Sequence, residues 1–195
     1  MKKFFLILMT VVLLFGFLGC ATKTEAQKAQ DQIPPVIGAD GVLRPNWVFQ
    51  GKDTPEKHFS VGFSDPLVLK SVTLKKAEAS ARIKMAEWIS TTVTEVIAIY
   101  VNDSSDEENR KAFDSYKSLS LQVSQATLSG SSREDFWTDP DGGIYVLSSI
   151  PKANIEKAFA EKVESANSSF QDAEAAAEAN DTLQELLQRV LYEEN

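Results

Sequence analysis

Apolar and polar positions divide this chain into an unpatterned front and a patterned remainder. Lys2 and Lys3 precede a weakly polar-to-apolar run of 16 residues, Phe4 to Gly19, which stops at Cys20. Residues 21–45 (ATKTEAQKAQDQIPPVIGADGVLRP) show no apolar period and are broken by Pro34-Pro35, Gly38 and Gly41. They read as a flexible tether, about 25–30 Å end to end as a coil and about 80–90 Å when fully extended. From Pro45-Asn46-Trp47-Val48 onward the pattern changes to that of a folded domain.

His58 to Ser64 alternates Phe59, Val61 and Phe63 on one face and predicts a short strand, closed by Ser64-Asp65-Pro66. Ser71 to Ser90 has helical spacing: Leu74, Ala77, Ala81, Met85 and Trp88 share a stripe, with Ile89 beside it. Glu78 and Arg82 stand four apart on the other side, in the supportive order for an ion pair. The small Ala77 and Ala81 allow a close approach to a sheet. TTVTEVIAIYV, residues 91–101, is so rich in β-branched residues that it predicts an interior strand, with the preceding helix overrunning into its start as the alternative.

Ser105 and Glu108 have capping-box spacing, so a helix is expected from about Asp106 to Gln125, with serines weakening its far half. Thr127–Trp137 and Gly143–Ile150 flank an Asp/Pro/Gly turn and predict a β-hairpin. Pro151 then opens a helix striped by Ile155, Phe159, Val163, Ala166 and Phe170 and running to about Ala179. Asn180-Asp181-Thr182 marks a break before a last helix with Leu183, Leu186, Leu187, Val190 and Leu191 on one side. That leucine side either packs on its own domain or offers a partner surface.

The expected fold class is α+β: a small, mostly antiparallel sheet with helices packed on it, and a β-hairpin followed by C-terminal helices. The expected organisation is a signal peptide at 1–19, a lipidated N-terminus and tether at 20–45, an α+β domain at 46–165 and a helical extension at 166–195.

A run of sixteen residues falls short of the roughly 20 that a bilayer-spanning helix needs, and the basic start and small end match a secretory signal. Phe17-Leu18-Gly19-Cys20 resembles the bacterial lipobox, whose cysteine is acylated and becomes the new N-terminus; Phe17 departs from its usual Leu. A plain signal peptide or a short anchor with an incidental cysteine is the alternative. Acyl chains on Cys20, palmitate among them, hold a protein on a bilayer without a spanning helix. Ala21 after the cysteine resembles an outer-membrane address.

Removing residues 1–19 leaves 176 of 195 residues and takes Lys2 and Lys3 away, so the formal charge moves from −8 to −10. Such an acidic chain argues against nucleic acid as a partner and against a basic patch for anionic headgroups. With its only cysteine acylated, the chain has no disulfide, thiol nucleophile or thiolate metal site.

Candidate chemistry is sparse. His58 is the only histidine, no G-x-S-x-G elbow accompanies it, and zinc ligands are lacking. Gly38-Ala39-Asp40-Gly41 lacks phosphate-loop spacing. Asp139-Pro140-Asp141-Gly142-Gly143 has calcium-loop composition, but its twelfth position is Ile150, and turn chemistry accounts for it. The acids Asp106, Glu107 and Glu108 suit a helix start. Trp47, Trp88 and Trp137 are candidates for a glycan or peptide groove, with Trp88 on the core stripe. No cofactor is expected, and the reading is non-enzymatic.

Pro45-Asn46-Trp47-Val48, Val61-Gly62, Ala77 to Arg82, Leu128 to Gly130 and Trp137 through Leu147 occur in that order behind the lipobox. This order resembles the LPP-twenty family of bacterial outer-membrane lipoproteins, which includes FlgP-like flagellar-assembly lipoproteins. The resemblance covers about residues 45–165. It implies a non-enzymatic, outer-membrane-anchored and periplasm-facing envelope protein that self-associates or binds envelope proteins, in some members as oligomeric rings of the flagellar apparatus. Cys20 is the one functional residue it carries over. A tethered activator of a cell-wall enzyme and, more weakly, a hydrolase with an unrecognised site are the alternatives.

Overall fold

The computed structural model describes residues 35–103, 116, 118–167 and 173–193, and residues from Pro35 onward form one compact unit. The signal segment, Cys20, the tether as far as Pro34, the Ser105/Glu108 capping box, the acidic run at 106–108 and Phe170 lie outside the described residues.

The elements in chain order are β1 (Val36–Ile37), β2 (Leu43–Arg44), α1 (Trp47–Gln50), β3 (Lys57–Ser64), α2 (Lys70–Asp103), α3 (Leu119–Leu128), β4 (Ser132–Thr138), β5 (Ile144–Pro151), α4 (Lys152–Asn167) and α5 (Ala173–Tyr192). β1 and β2 form a small antiparallel ribbon, and β3, β5 and β4 form an antiparallel sheet in that order. This is the expected α+β fold, with the hairpin β4–β5 turning through Asp139–Gly143. There Asp139 N–H donates to Gly143 O, Gly142 N–H donates to Asp139 O, and Gly142 takes φ +90°.

α2 is the spine of the domain. Its 34 residues span about 50 Å at 1.5 Å per residue. The first half crosses the sheet, burying Ala77 against Ile144 and Val146. The second half sends Met85, Ile89, Val93, Val96 and Ile97 into a helical core shared with α3, α4 and α5.

Residues 91–101 are therefore helix and not the expected strand. A strand would place Glu95 between Val93 and Ile97 on one face. The helix instead buries Thr92, Val93, Val96 and Ile97 together and leaves Glu95 in solvent. β-branched residues cost a helix at most about 0.7 kcal/mol each, whereas burying a Val or Ile contributes about 1.5–3 kcal/mol. Burial wins.

Three further boundaries differ from expectation. Thr127 and Leu128 end α3, where the Thr127 hydroxyl donates to Val123 O, so β4 starts only at Ser132. Pro151 closes β5 and α4 starts at Lys152. Asn180-Asp181-Thr182 lies inside α5 rather than at a break: Asn180 Oδ1 accepts from Asn167 Nδ2 at 2.5 Å, and the Thr182 hydroxyl donates to Glu178 O. Asn180 is thus occupied by another side chain and Thr182 bonds back to the carbonyl four residues earlier, so neither interrupts the helix. α5 buries Leu183, Leu186, Leu187, Val190 and Leu191 in its own domain's core, so its leucine side is not a free surface.

The end of the expected tether is folded too. Val36 and Ile37 pair with Arg44 and Leu43, and Arg44 is buried. The ribbon, ahead of Trp47, thus belongs to the described fold.

Candidate functional site

β3 packs the face that its sequence makes least apolar. Alternation sends His58, Ser60, Gly62 and Ser64 to the α2 side, and all four are buried; Phe63, on the opposite face, is exposed. The reason is proximity. A Cβ at Gly62 would fall on the backbone O of Ala77 and N of Ala81, so sheet and helix meet almost backbone to backbone.

Further along the same face, the His58 ring stacks on Trp88 at 3.6 Å and 3°. Its Nε2 lies 3.3 Å from Ser60 Oγ, and its Nδ1 lies 3.3 Å from Asp53 Oδ1 without hydrogen-bond alignment. The same Asp53 oxygen accepts the Phe59 N–H at 2.9 Å. Burial works to raise the Asp53 carboxyl, but the His58 imidazole and the Phe59 N–H outweigh it and hold it below the ordinary value. Asp53, His58 and Ser60 thus line up in acid–base–hydroxyl order, which the i,i+2 spacing of His58 and Ser60 on a strand makes legible. A triad serine must meet a substrate carbonyl. Ser60 instead lies between sheet and α2, and the imidazole is clamped by Trp88. The arrangement orients a ring in the core and presents no accessible nucleophile.

The far face of the sheet is held by the N-terminal segment. Arg44 donates to both oxygens of Asp40, at 2.7 and 2.6 Å, and to Asp139 Oδ2 at 3.2 Å. Its guanidinium lies 5.8 Å from the Phe49 ring and 5.5 Å from the Trp137 ring. Hydrogen bonding to Arg44 lowers Asp40 to about 2, and the Asp40 bond in turn raises Arg44 above its ordinary value. Asp139 is engaged as a turn residue and as a partner of Arg44, in keeping with turn chemistry at 139–143. Trp47 Nε1 donates to Asp135 at 3.1 Å, Trp137 packs on Tyr145 and under Arg44, and Trp88 lies against His58. The three tryptophans occupy separate contacts and do not line one groove.

A bulge between Arg133 and Asp135 sets Glu134 out of register, and its carboxylate reaches Ser149 Oγ at 2.5 Å and Lys57 Nζ at 2.8 Å. The Lys57 hydrogen bond leads in holding Glu134 below the usual glutamate value. Glu78, expected to pair with Arg82, bonds Arg133 at 2.5 Å instead, tying α2 to the edge strand β4. Bulge and charges together blunt that edge.

Among the described residues no group of three or more His, Cys, Asp or Glu converges on a cation position, and no helix is long and apolar enough to cross a membrane. A shallow, open depression of about 410 Å³ lies along the second half of α2, between Ser90, Thr91, Thr94, Glu95 and Ala98. No family model and no curated protein matches the chain. What fold and site define is an α+β domain whose charged and aromatic clusters tie its own elements together.

Proposed function

We propose that this protein is a lipid-anchored envelope lipoprotein, held by Cys20 on the outer membrane, facing the periplasm and working by assembly with itself or with envelope proteins. The observation that carries the reading is the position of the only cysteine. It directly follows Phe17-Leu18-Gly19 at the end of a 16-residue apolar run behind two lysines.

Two features of the domain support it. The ordered motifs that resemble LPP-twenty lipoproteins meet one another in space: Gly62 abuts Ala77 and Ala81, and Trp47 bonds Asp135 next to Trp137. Its polar clusters are engaged in holding ribbon, sheet and helices together, as suits a protein that acts through surfaces.

The test is Cys20→Ser in the full chain. Mass spectrometry of the N-terminal peptide should show a diacylglyceryl-cysteine in the wild type and an unmodified, unprocessed chain in the variant. A wild-type chain that carries no acyl group on Cys20 sinks the reading. Sedimentation of the membrane-extracted protein addresses assembly, and a strict monomer at high concentration counts against rings.

A further inference from the structure

The overall charge of −8 conceals a local reversal. Residues 70–84, the first half of α2, carry five cations and one carboxylate. That carboxylate, Glu78, is taken up by Arg133, and Lys84 reaches back to Val61 O. Lys70, Lys75, Lys76 and Arg82 remain exposed, and none forms an ion pair among the described residues. Helical spacing sets Val72, Lys75, Lys76, Ala79, Arg82 and Ile83 on the side of α2 opposite the sheet-packed Ala77 and Ala81. Val72 and Ile83 are exposed there.

The loop that enters this helix is apolar as well. Leu67, Val68 and Leu69 are all exposed, Val68 completely. The tip is not a loose end: Leu67 N–H donates to Thr73 Oγ1 at 3.0 Å, and the Thr73 hydroxyl returns to Leu69 O at 3.3 Å. A held aliphatic tip therefore precedes a helix face of cations and aliphatic residues. The other acids on the same helix, Glu87, Glu95 and Asp103, come only afterwards.

We propose that the Leu67–Leu69 tip and the outward face of α2 from Val72 to Ile83 dock on an anionic phospholipid surface. The aliphatic side chains enter the boundary between headgroups and acyl chains, and the cations face the phosphates. Charge complementarity selects this occupant. A polyanion such as a nucleic acid would use the cations, but would leave three consecutive aliphatic side chains in water with no base-stacking or hydrogen-bonding role. The chain from residue 20 to residue 34 extends to about 50 Å at most. On the reading of Cys20 as a lipid anchor, the face is therefore within reach of the bilayer that holds the anchor; the charge argument stands without that reading.

The test uses the chain from residue 20 onward bearing Cys20→Ala, because the core clusters of the described residues lie within residues 35–195. Co-sedimentation is measured with phosphatidylethanolamine/phosphatidylglycerol vesicles and with phosphatidylcholine vesicles. Partition onto the anionic vesicles is expected to be at least tenfold stronger and to weaken with salt. Lys75→Glu and Lys76→Glu should each weaken it by about fivefold or more, on the order of one cation's contribution. Val68→Asp should abolish it while leaving the thermal melt unchanged. Equal partition onto both vesicle types, or none onto either, overturns the proposal. So does tighter binding to an oligonucleotide than to anionic vesicles, or vesicle-free dimerisation that Val68→Asp removes. None of these outcomes bears on acylation, which is read from the mass of the Cys20 peptide.

Discussion

Gly62 stands so close to Ala81 that a single methyl group at position 62 would overlap the Ala81 backbone nitrogen. The obstruction is backbone on backbone, so no side-chain rotation relieves it. Overpacking of this kind costs about 1–3 kcal/mol and sometimes more. Gly62→Ala is expected at or beyond the top of that range in urea unfolding, and Gly62→Val should prevent folding. A Gly62→Ala protein with wild-type stability would mean that α2 does not lie against β3 as described.

The stack of His58 on Trp88 makes a separable prediction. An aromatic pair contributes about 0.5–1.5 kcal/mol beyond its buried area. His58→Phe keeps a ring over Trp88, whereas His58→Ala loses both ring and volume, so Ala should be the more destabilising change by at least that amount. If both substitutions cost the same, the ring nitrogens facing Ser60 and Asp53 matter more than the stack.

Tyr116 is tied to α4, and through Asn167 to α5, by a chain of side-chain bonds that is buried at its Tyr116 end. Its hydroxyl donates to Asn167 Oδ1 at 2.6 Å, and Asn167 Nδ2 donates to Asn180 Oδ1 at 2.5 Å. Tyr116→Phe leaves a buried acceptor without its donor and should cost about 1–3 kcal/mol in chemical denaturation. Burial, with a smaller contribution from Tyr100, pushes the Tyr116 hydroxyl up to about 12. A folded-state value above the unfolded one gives a contribution that is fully present below about pH 10 and lost as pH rises through about 12. Absorbance at 295 nm should show Tyr116 among the late-titrating phenols, and Tyr116→Phe should remove one of them.

The clamp of Arg44 on Asp40 predicts the opposite pH dependence. Asp40 falls to about 2 chiefly through its Arg44 hydrogen bond. Its contribution is present above the ordinary carboxylate value and is lost as pH falls through about 2. Carboxyl-resolved NMR should place the Asp40 midpoint near 2 in the wild type, and Arg44→Gln should return it towards 3.8. An unmoved midpoint in the variant would remove Arg44 as the cause.

Hairpin and terminal helix were legible because their signals are local. Asp139-Pro140-Asp141-Gly142-Gly143 contains a glycine with positive φ where the turn needs one, and the leucines of α5 repeat at a period that only a helix satisfies. The α2 stripe was legible for the same reason, as far as Ile89. Residues 91–101 favour a strand by their β-branching, and only the placement of Glu95 speaks for the helix. Asn180 and Thr182 resemble a helix break in sequence because the partner of Asn180, Asn167, is thirteen residues away and Thr182 bonds within its own helix. Of the site residues, His58 stood out only as a lone histidine. Its alignment with Asp53, Ser60 and Trp88 needs β3 laid against α2, and the cations of residues 70–84 vanish in a net-charge count.

The sequence by itself determined the α+β class, the hairpin, the helical C-terminus and the unusual place of Cys20, because each follows from spacing within a few residues. Tertiary structure decided that α2 continues through a β-branched segment and that the ribbon at 36–44 belongs to the fold. It also decided that β3 turns its glycine and serines inward and leaves Phe63 outside. Those outcomes depend on what each segment meets across space. Burial of a Val or Ile outweighs its helix penalty, and a backbone approach as close as that of Gly62 to Ala81 excludes any side chain at position 62.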